Sequence, residues 1–355
     1  MAEKMKIVAV TGERKAAVIE IDKPVPGRDQ VLVKISGCGI CTFEQRVYLQ
    51  VAKMKLPFAG GHEIVGRIDA LGEGVDPKEY PLGQKVVART MKACGECYYC
   101  RHGMYNICTN KRVLGASYDV PELGGGKWTG SLGEYIVVPE KTIVKLAEGV
   151  SYEEGALIEP IANGIYAVRR ANITPESAIA IIGCGPIGLG DLIGARLYDP
   201  KLIVMADISE INLRMAREFG CEHVINSRKQ DLEETVMELT GGVGVDMVFL
   251  GFGDAPTLEQ ACRIVRRGGT IHQHALMKDG IGFPYQIHQQ HELSFIAYNM
   301  YKYEEFEFIC DEIAKGRIQG LDRMVTQRYP IEKFKEAMEM ADKRPEPVVK
   351  VMMEF

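Results

Sequence analysis

Cys94, Cys97, Cys100 and Cys108 stand in a C-x2-C-x2-C-x7-C run, and upstream of it the chain reads Gly61-His62-Glu63. Four thiolates this close can surround one tetrahedral zinc ion, because two-residue gaps let a tight turn aim successive sulfurs at one point. Such a site keeps no position for a substrate, so its role is structural and catalysis needs a second constellation. Disulfides are disfavoured, because the other six cysteines are scattered and the first residues do not resemble an export signal. An iron–sulfur cluster is the closer rival. Bacterial ferredoxins open with the same C-x2-C-x2-C but continue x3-C-P, whereas here seven residues precede Cys108 and Thr109 follows it.

The second constellation is Cys41, in Gly37-Cys38-Gly39-Ile40-Cys41-Thr42-Phe43-Glu44, with His62-Glu63 some twenty residues later. Thiolate, imidazole and carboxylate form the open three-ligand set with which a catalytic zinc reserves a position for substrate. Taken singly the residues say little, since a lone Cys is ordinarily buried filler and a lone His a hydrogen-bonded structural residue.

A third group binds phosphate chemistry. Residues 181–188, Ile-Ile-Gly-Cys-Gly-Pro-Ile-Gly, contain G-x-G-x-x-G after an expected strand and at the start of an expected helix. Gly183 permits the tight turn, Gly185 lets backbone approach a pyrophosphate, and Gly188 lets helix and strand pack closely. Pro186 and Ile187 complete this candidate cofactor-binding turn, whose N–H groups at the helix start meet the phosphates. The pattern alone is weak in a chain with 38 glycines. It gains weight from a second strand, 202–206, ending at Asp207, nineteen residues beyond Gly188. A carboxylate there accepts from both ribose hydroxyls and repels a 2′-phosphate, so NAD is expected rather than NADP. Arg214, on the following helix, softens that preference.

These groups need elements to hold them. At 355 residues, two domains are the default expectation. Hydrophobic residues at 46% and charged residues at 26% fit a soluble globular protein, and a net charge of −5 without a long basic run argues against nucleic acid. No apolar stretch near the start has signal-peptide or membrane-spanning length. A reducing cytosol is the expected home, with the cysteines as free thiols or ligands. Short β-type runs at 6–10, 16–21, 30–35, 63–68, 84–88 and 134–138, broken by Gly and Pro, indicate a barrel-like or sandwich-like β domain carrying the cysteine lobe. From residue 153 onward the pattern changes. A helix over 156–171 precedes strands at 178–182, 202–206, 223–225, 247–250 and 270–272, with helices at 210–219, 231–239 and 258–265 between them. That alternation means a parallel sheet. Amphipathic segments at 303–315 and 331–341 and a last strand at 348–352 are expected to return to the first domain.

The order of Cys41, His62-Glu63, the cysteine lobe, Gly133-Glu134-Tyr135, Glu159-Pro160, Gly183/Gly185/Gly188 and Asp207 resembles the zinc-dependent medium-chain alcohol and polyol dehydrogenases. The match runs from about residue 30 to 275. The resemblance implies an α/β protein: a Rossmann-type doubly wound parallel sheet at 161–299, and a GroES-like β-rich catalytic domain at 1–160, completed by 300–355. Simple alcohol dehydrogenases have a second Cys where this chain has Glu159, whereas sorbitol, threonine and sugar dehydrogenases resemble it in having Glu-Pro. The implied catalytic zinc ligands are Cys41, His62, Glu63 and Glu159, giving two zinc ions per chain. An oxygen-rich site suits a polyhydroxylated substrate. The implied activity is hydride transfer from a secondary hydroxyl of a polyol, sugar or cyclitol to NAD, in a homodimer or homotetramer acting on small molecules, with no nucleic acid or membrane partner. An L-threonine or simple secondary-alcohol dehydrogenase, or a nucleotide-sensing relative without turnover, are the alternatives.

One departure matters. The family has Ser or Thr two residues after the zinc Cys and many members have His five residues after it; here these are Phe43 and Arg46. Proton transfer is then expected through Thr42, a zinc-bound carboxylate, or water held by Glu63. Glu44 is expected to orient His62 rather than touch substrate. His272 and His274 either line the nicotinamide pocket or form a solvated strand end. Gln286, His288, Gln289, Gln290 and His291 read as a solvated loop, and Trp128 as packing.

Overall fold

The computed structural model describes residues 3–115, 130–277 and 280–355, so Trp128 lies outside the described residues. The chain divides into two compact units, Met1–Glu159 with Phe306–Phe355, and Pro160–Glu305.

The first unit opens with the antiparallel pair β1 (Lys4–Gly12) and β2 (Lys15–Asp22). β3 (Gln30–Gly39) follows, then the short helix α1 (Thr42–Tyr48), β4 (Glu63–Leu71) and β5 (Lys85–Ala88). The cysteine lobe hangs between the two-residue strands β6 (Met91–Lys92) and β7 (Arg112–Val113), with the helical turn α2 (Tyr98–Arg101) and a 3-10 turn (Tyr105–Ile107) inside it. β8 (Tyr135–Pro139) and β9 (Ile143–Lys145) lead to α3 (Tyr152–Arg169), which contains Pro160 and continues into the second unit.

The second unit alternates β10 (Ala178–Ile182), α4 (Pro186–Arg196), β11 (Leu202–Asp207), α5 (Glu210–Glu218), β12 (His223–Asn226), α6 (Leu232–Leu239), β13 (Val245–Leu250), α7 (Ala255–Ile264), β14 (Val265–Gln273), α8 (Tyr285–Gln290) and β15 (Ser294–Ala297). All pairings in its sheet are parallel, in the order β12-β11-β10-β13-β14-β15. Every residue of β10 is buried, as a strand covered on both faces requires. The strand order reverses between β10 and β13, which places the ligand-binding crevice outside their carboxyl ends.

The chain then returns through α9 (Glu304–Ala314), β16 (Val325–Pro330), α10 (Phe334–Lys343) and β17 (Lys350–Glu354). β17 lies antiparallel to β3, Met353 opposite Cys38, in a sheet ordered β16-β17-β3-β4-β5-β9 with β8 also on β3. Val33, Ile35, Ile64, Ile68, Val86, Phe334 and Met353 meet in its core.

Three elements differ from expectation. Gln286, His288, Gln289 and Gln290 lie on α8 rather than in a loop, with His291 capping it. β14 extends back to Val265 across Gly268-Gly269, which sequence rules treat as a breaker. β15 was not foreseen because its apolar run, Phe295-Ile296-Ala297, is too short to mark a strand by itself; it forms a sheet edge with three of its four residues exposed. Among the described residues no helix is long and apolar enough to cross a membrane.

Candidate metal centres and cofactor site

The four lobe sulfurs converge. Cys94 and Cys108 Sγ are 3.4 Å apart, Cys97 and Cys100 3.5 Å, Cys97 and Cys108 3.8 Å, and Cys94 and Cys100 3.9 Å. Sulfurs about 2.3 Å from a central zinc sit on a tetrahedron with edges of about 3.8 Å, so the spacing fits one such ion. It is far too long for disulfides, and all ten cysteines are free. Backbone N–H groups point at sulfur: Cys97 donates to Cys94 Sγ at 3.4 Å and Asn110 to Cys108 Sγ at 3.3 Å. The Cys100 backbone N–H is the largest influence holding the Cys97 thiol down at about 6, as a ligand thiolate needs, whereas burial pushes Cys100 up to about 12.

Cys41, His62 and Glu63 are brought together by the pairing of β3 with β4. Gly39, the last residue of β3, faces Glu63, the first of β4. A Cβ on Gly39 would lie 1.9 Å from Glu63 Oε2, so the carboxylate occupies space that only glycine leaves. Two residues on, Cys41 is the extended N-cap of α1, with φ −87° and ψ 158°. One ligand atom from each of Cys41, His62 and Glu63 lies within 4.8 Å of the other two. A sulfur, a nitrogen and an oxygen donor so placed fit a zinc ion with a free position.

Glu44 fastens this arrangement. It is 3% exposed, and Oε1 accepts from the Gly61 backbone N–H at 3.1 Å and meets His62 Nδ1 at 2.9 Å, while Oε2 accepts from the Cys41 N–H at 3.2 Å. One carboxylate therefore ties both ligand segments and fixes the His62 ring so that Nε2 is left for a metal. Burial is the largest influence on Glu44 and raises its pKa, but the His62 charge and the Gly61 N–H outweigh it and hold it low. Burial likewise opposes charge on His62, yet Glu44 and Cys41 carry its pKa well above the usual range; the same negative surroundings favour a cation. Glu44→Gln is expected to lower zinc affinity about 10–100-fold, read by titration against a competing chelator. Unchanged affinity would show that Glu44 does not orient His62.

The remaining neighbours divide into those foreseen and one that was not. Phe43 stands edge-on to the His62 ring at 6.4 Å and to Phe58 at 6.3 Å, making an apolar wall where a hydroxyl was expected. Thr42 is exposed at the start of α1, and Arg46 is exposed one turn further along the same face. Glu159 is buried in α3 but stands outside the 4.8 Å group. Lys350 was missed. Its Nζ, on a side chain 7% exposed, lies 2.6 and 2.7 Å from the two oxygens of Glu63 and 3.3 Å from Ile40 O. Burial, the largest influence, lowers the Lys350 pKa, but Glu63, Cys41 and Glu159 more than compensate and hold the ammonium charged.

In the second unit Gly183 has φ +101°, and a Cβ on Gly188 would lie 1.8 Å from Gly183 O, so turn and helix approach as a phosphate-binding loop requires. Gly185 is the extended N-cap of α4 with nothing within 4 Å of a Cβ there, leaving its face open, and Pro186 and Ile187 are the first residues of that helix. Asp207 Oδ2 accepts from the Cys184 N–H at 2.7 Å and from Asn212 Nδ2 at 3.2 Å. Oδ1 accepts from the Ile208 and Ser209 N–H groups at 2.7 and 2.8 Å, so the carboxylate is held against the glycine turn. Arg214 is paired with Glu218 of its own helix at 3.7 Å. His272 is no solvated strand end: it is 2% exposed, with Nδ1 2.8 Å from Tyr298 OH, and burial pushes its pKa down to about 4.

Comparison with known proteins agrees with this geometry. Residues 27–148 match the model of the alcohol dehydrogenase GroES-like domain, and residues 186–315 that of the zinc-binding dehydrogenase. Sorbitol dehydrogenase from Bacillus subtilis (strain 168) is 30% identical over 361 residues, covering 99% of this chain and 97% of its own. L-threonine 3-dehydrogenase from Thermococcus kodakarensis is 29% identical, covering 96% and 95%. A structure from Escherichia coli CFT073, described as a short chain alcohol dehydrogenase complexed with NADH, superposes with a TM-score of 0.88 at 26% identity, covering 100% of each chain. The chain is therefore an oxidoreductase acting on CH–OH groups and belongs to the zinc-dependent medium-chain alcohol and polyol dehydrogenase family.

Proposed function

We propose that the enzyme oxidises a secondary hydroxyl of a polyol, sugar or cyclitol with NAD, using one catalytic and one structural zinc. The observation that carries this reading is the convergence of Cys41, His62 and Glu63, with buried Glu159 acting on the same Lys350 ammonium as Glu63; the four together make an oxygen-rich donor set suited to a substrate offering two oxygens. In this reading residues 1–160 and 300–355 form the catalytic domain and 161–299 the cofactor domain. Cys94, Cys97, Cys100 and Cys108 hold the structural ion. Cys41, His62, Glu63 and Glu159 would hold the catalytic zinc, which would supply Lewis-acid chemistry that lowers the pKa of a substrate hydroxyl. The chain's own residues then move the proton. Both Glu63 oxygens are engaged by buried Lys350, which leaves Thr42, exposed beside Cys41, as the hydroxyl placed to pass it to solvent.

Gly183, Gly185, Pro186, Ile187 and Gly188 receive the pyrophosphate and Asp207 the ribose hydroxyls, in a protein of the cytoplasm that acts as a homodimer or homotetramer. The preference for NAD rests on Asp207, whose charge is held in place by four donors and has no cation paired with it among the hydrogen bonds above. Asp207→Ser is expected to raise the KM for NAD and lower that for NADP, shifting the ratio of kcat/KM values about tenfold or more toward NADP. An unchanged ratio would sink the assignment.

The reading is tested by following NADH absorbance with polyols, inositols, aldoses and L-threonine, with and without chelator. Turnover of a polyol, sugar or cyclitol that chelator abolishes is the expected result. Turnover confined to L-threonine would replace the substrate class, and activity surviving removal of both metals would overturn the zinc chemistry.

A further inference from the structure

The second unit contains a buried ionisable pair for which a dinucleotide turn has no need. Asp191, six residues into α4, is 0% exposed, and its Oδ2 lies 2.9 Å from His274 Nε2, on a side chain 4% exposed. Both Asp191 carboxylate oxygens, both His274 ring nitrogens and His272 Nε2 are buried without a hydrogen-bond partner among the described residues, so the 2.9 Å approach is a polar contact that lacks hydrogen-bond geometry. Desolvating two such groups is costly, and an apolar pair of similar volume would pack there without that cost. Their retention calls for a role other than filling space.

The topology indicates the role. α4 carries the glycine turn at its start and packs against β10 and β13, the strands of the switch point. α3 backs it so closely that a Cβ on Gly164 would lie 2.5 Å from Asp191 N and from Ile187 O. His274 comes from the other half of the sheet. It follows β14, and the His274 and Ala275 N–H groups both bond Leu250 O at the end of β13, at 3.3 and 3.0 Å. The Tyr298 N–H bonds Gln273 O at 2.8 Å, its hydroxyl meets His272, and the His272 ring stacks on Phe249 at 4.7 Å. The Asp191–His274 contact thus ties the phosphate-binding helix to the carboxyl end of β14. With Asp207 marking β10–β12 as the adenosine half, β13–β15 are the half that receives the second mononucleotide.

We propose that Asp191 and His274 are positioning residues for the nicotinamide end of the cofactor: their buried contact fixes the floor on which that ring lies, while the adenosine end binds independently of it. This rests on the reading of the second unit as the dinucleotide site. The atoms of the pair are themselves covered, so they act through the backbone they hold rather than by touching the ring.

The test compares NADH with ADP-ribose, which keeps the adenosine and pyrophosphate but lacks nicotinamide, by calorimetry on the zinc-loaded protein. Asp191→Val and His274→Leu are each expected to raise the Kd for NADH about tenfold or more, as removing one member of a buried polar pair implies, and to leave the Kd for ADP-ribose unchanged. Asp191→Asn, which keeps the shape and polarity of the contact with His274, is expected to recover most of the NADH affinity. Equal weakening of both ligands would show a merely structural pair, and unchanged NADH binding would show no role; either overturns the proposal. Failure of the wild-type protein to bind either ligand would instead overturn the cofactor assignment. Should Asp191→Val not fold, His274→Leu and Asp191→Asn carry the same comparison.

Discussion

Lys350→Met is expected to destabilise the unit formed by Met1–Glu159 and Phe306–Phe355 by about 3–5 kcal/mol, read from denaturant unfolding of the metal-free protein. The reason is the state in which it leaves Glu63. That carboxylate is 1% exposed and both its oxygens rest on the Lys350 ammonium, so methionine strands a buried negative charge. Excess zinc should recover much of the loss, because a stranded carboxylate is a better metal ligand than one shared with an ammonium. Lys350→Met combined with Glu63→Gln should also recover stability, since a neutral amide strands no charge, but it should not recover turnover if Glu63 takes part in the site. The pH dependence has a definite sign. Glu63, Cys41 and Glu159 raise the Lys350 pKa against burial, so the ammonium's contribution is complete below the ordinary lysine range, about 10.4, and is lost as pH rises through the higher folded value. Lys350→Met at wild-type stability without metal would mean that the ion pair holds nothing together.

How far such a pair could be read from sequence depends on the distance over which its signal travels. The cysteine spacing and the G-x-G-x-x-G turn are local, and the structure brings each together within a few residues of chain. The strands β10, β11 and β13 were legible because a strand covered on both faces must be a continuous apolar run. Glu44 was legible as the partner of His62 through its place in the first turn after Cys41. Lys350 was not, because a lysine within a closing apolar strand reads as a solvated edge, and its partner lies 287 residues away. Asp191 escaped for the same reason, and His274, singled out only as a pocket-lining or strand-end residue, gains its partner once the parallel sheet folds α4 and the end of β14 together. Long-range polar pairs carry no periodicity, so their residues are visible only once topology is known.

The two cysteine sites in the first unit should respond oppositely to loss of one sulfur. Cys41→Ala removes a proposed ligand from the cap of a helix whose seat in the core is made by Val47 and Tyr48, both essentially fully buried and untouched by the change. Stability should therefore hold while turnover falls about a thousandfold or more, the several kcal/mol of Lewis-acid stabilisation at about 1.36 kcal/mol per decade. Cys97→Ala removes a proposed ligand from a lobe that has little else to hold it. Its turn α2 has no buried residue, its 3-10 turn Tyr105–Ile107 buries only Asn106, and its flanking strands β6 and β7 are two residues each. With so little apolar area to bury, the lobe draws its folding energy from the metal, so this substitution should lower the melting temperature and open the lobe to proteolysis. Metal analysis should fall from two zinc ions per chain to one in both variants, and that shared result makes the contrast informative. Unchanged turnover in Cys41→Ala, or unchanged melting in Cys97→Ala, would show that the closed and open donor sets do not divide stability from chemistry in this enzyme.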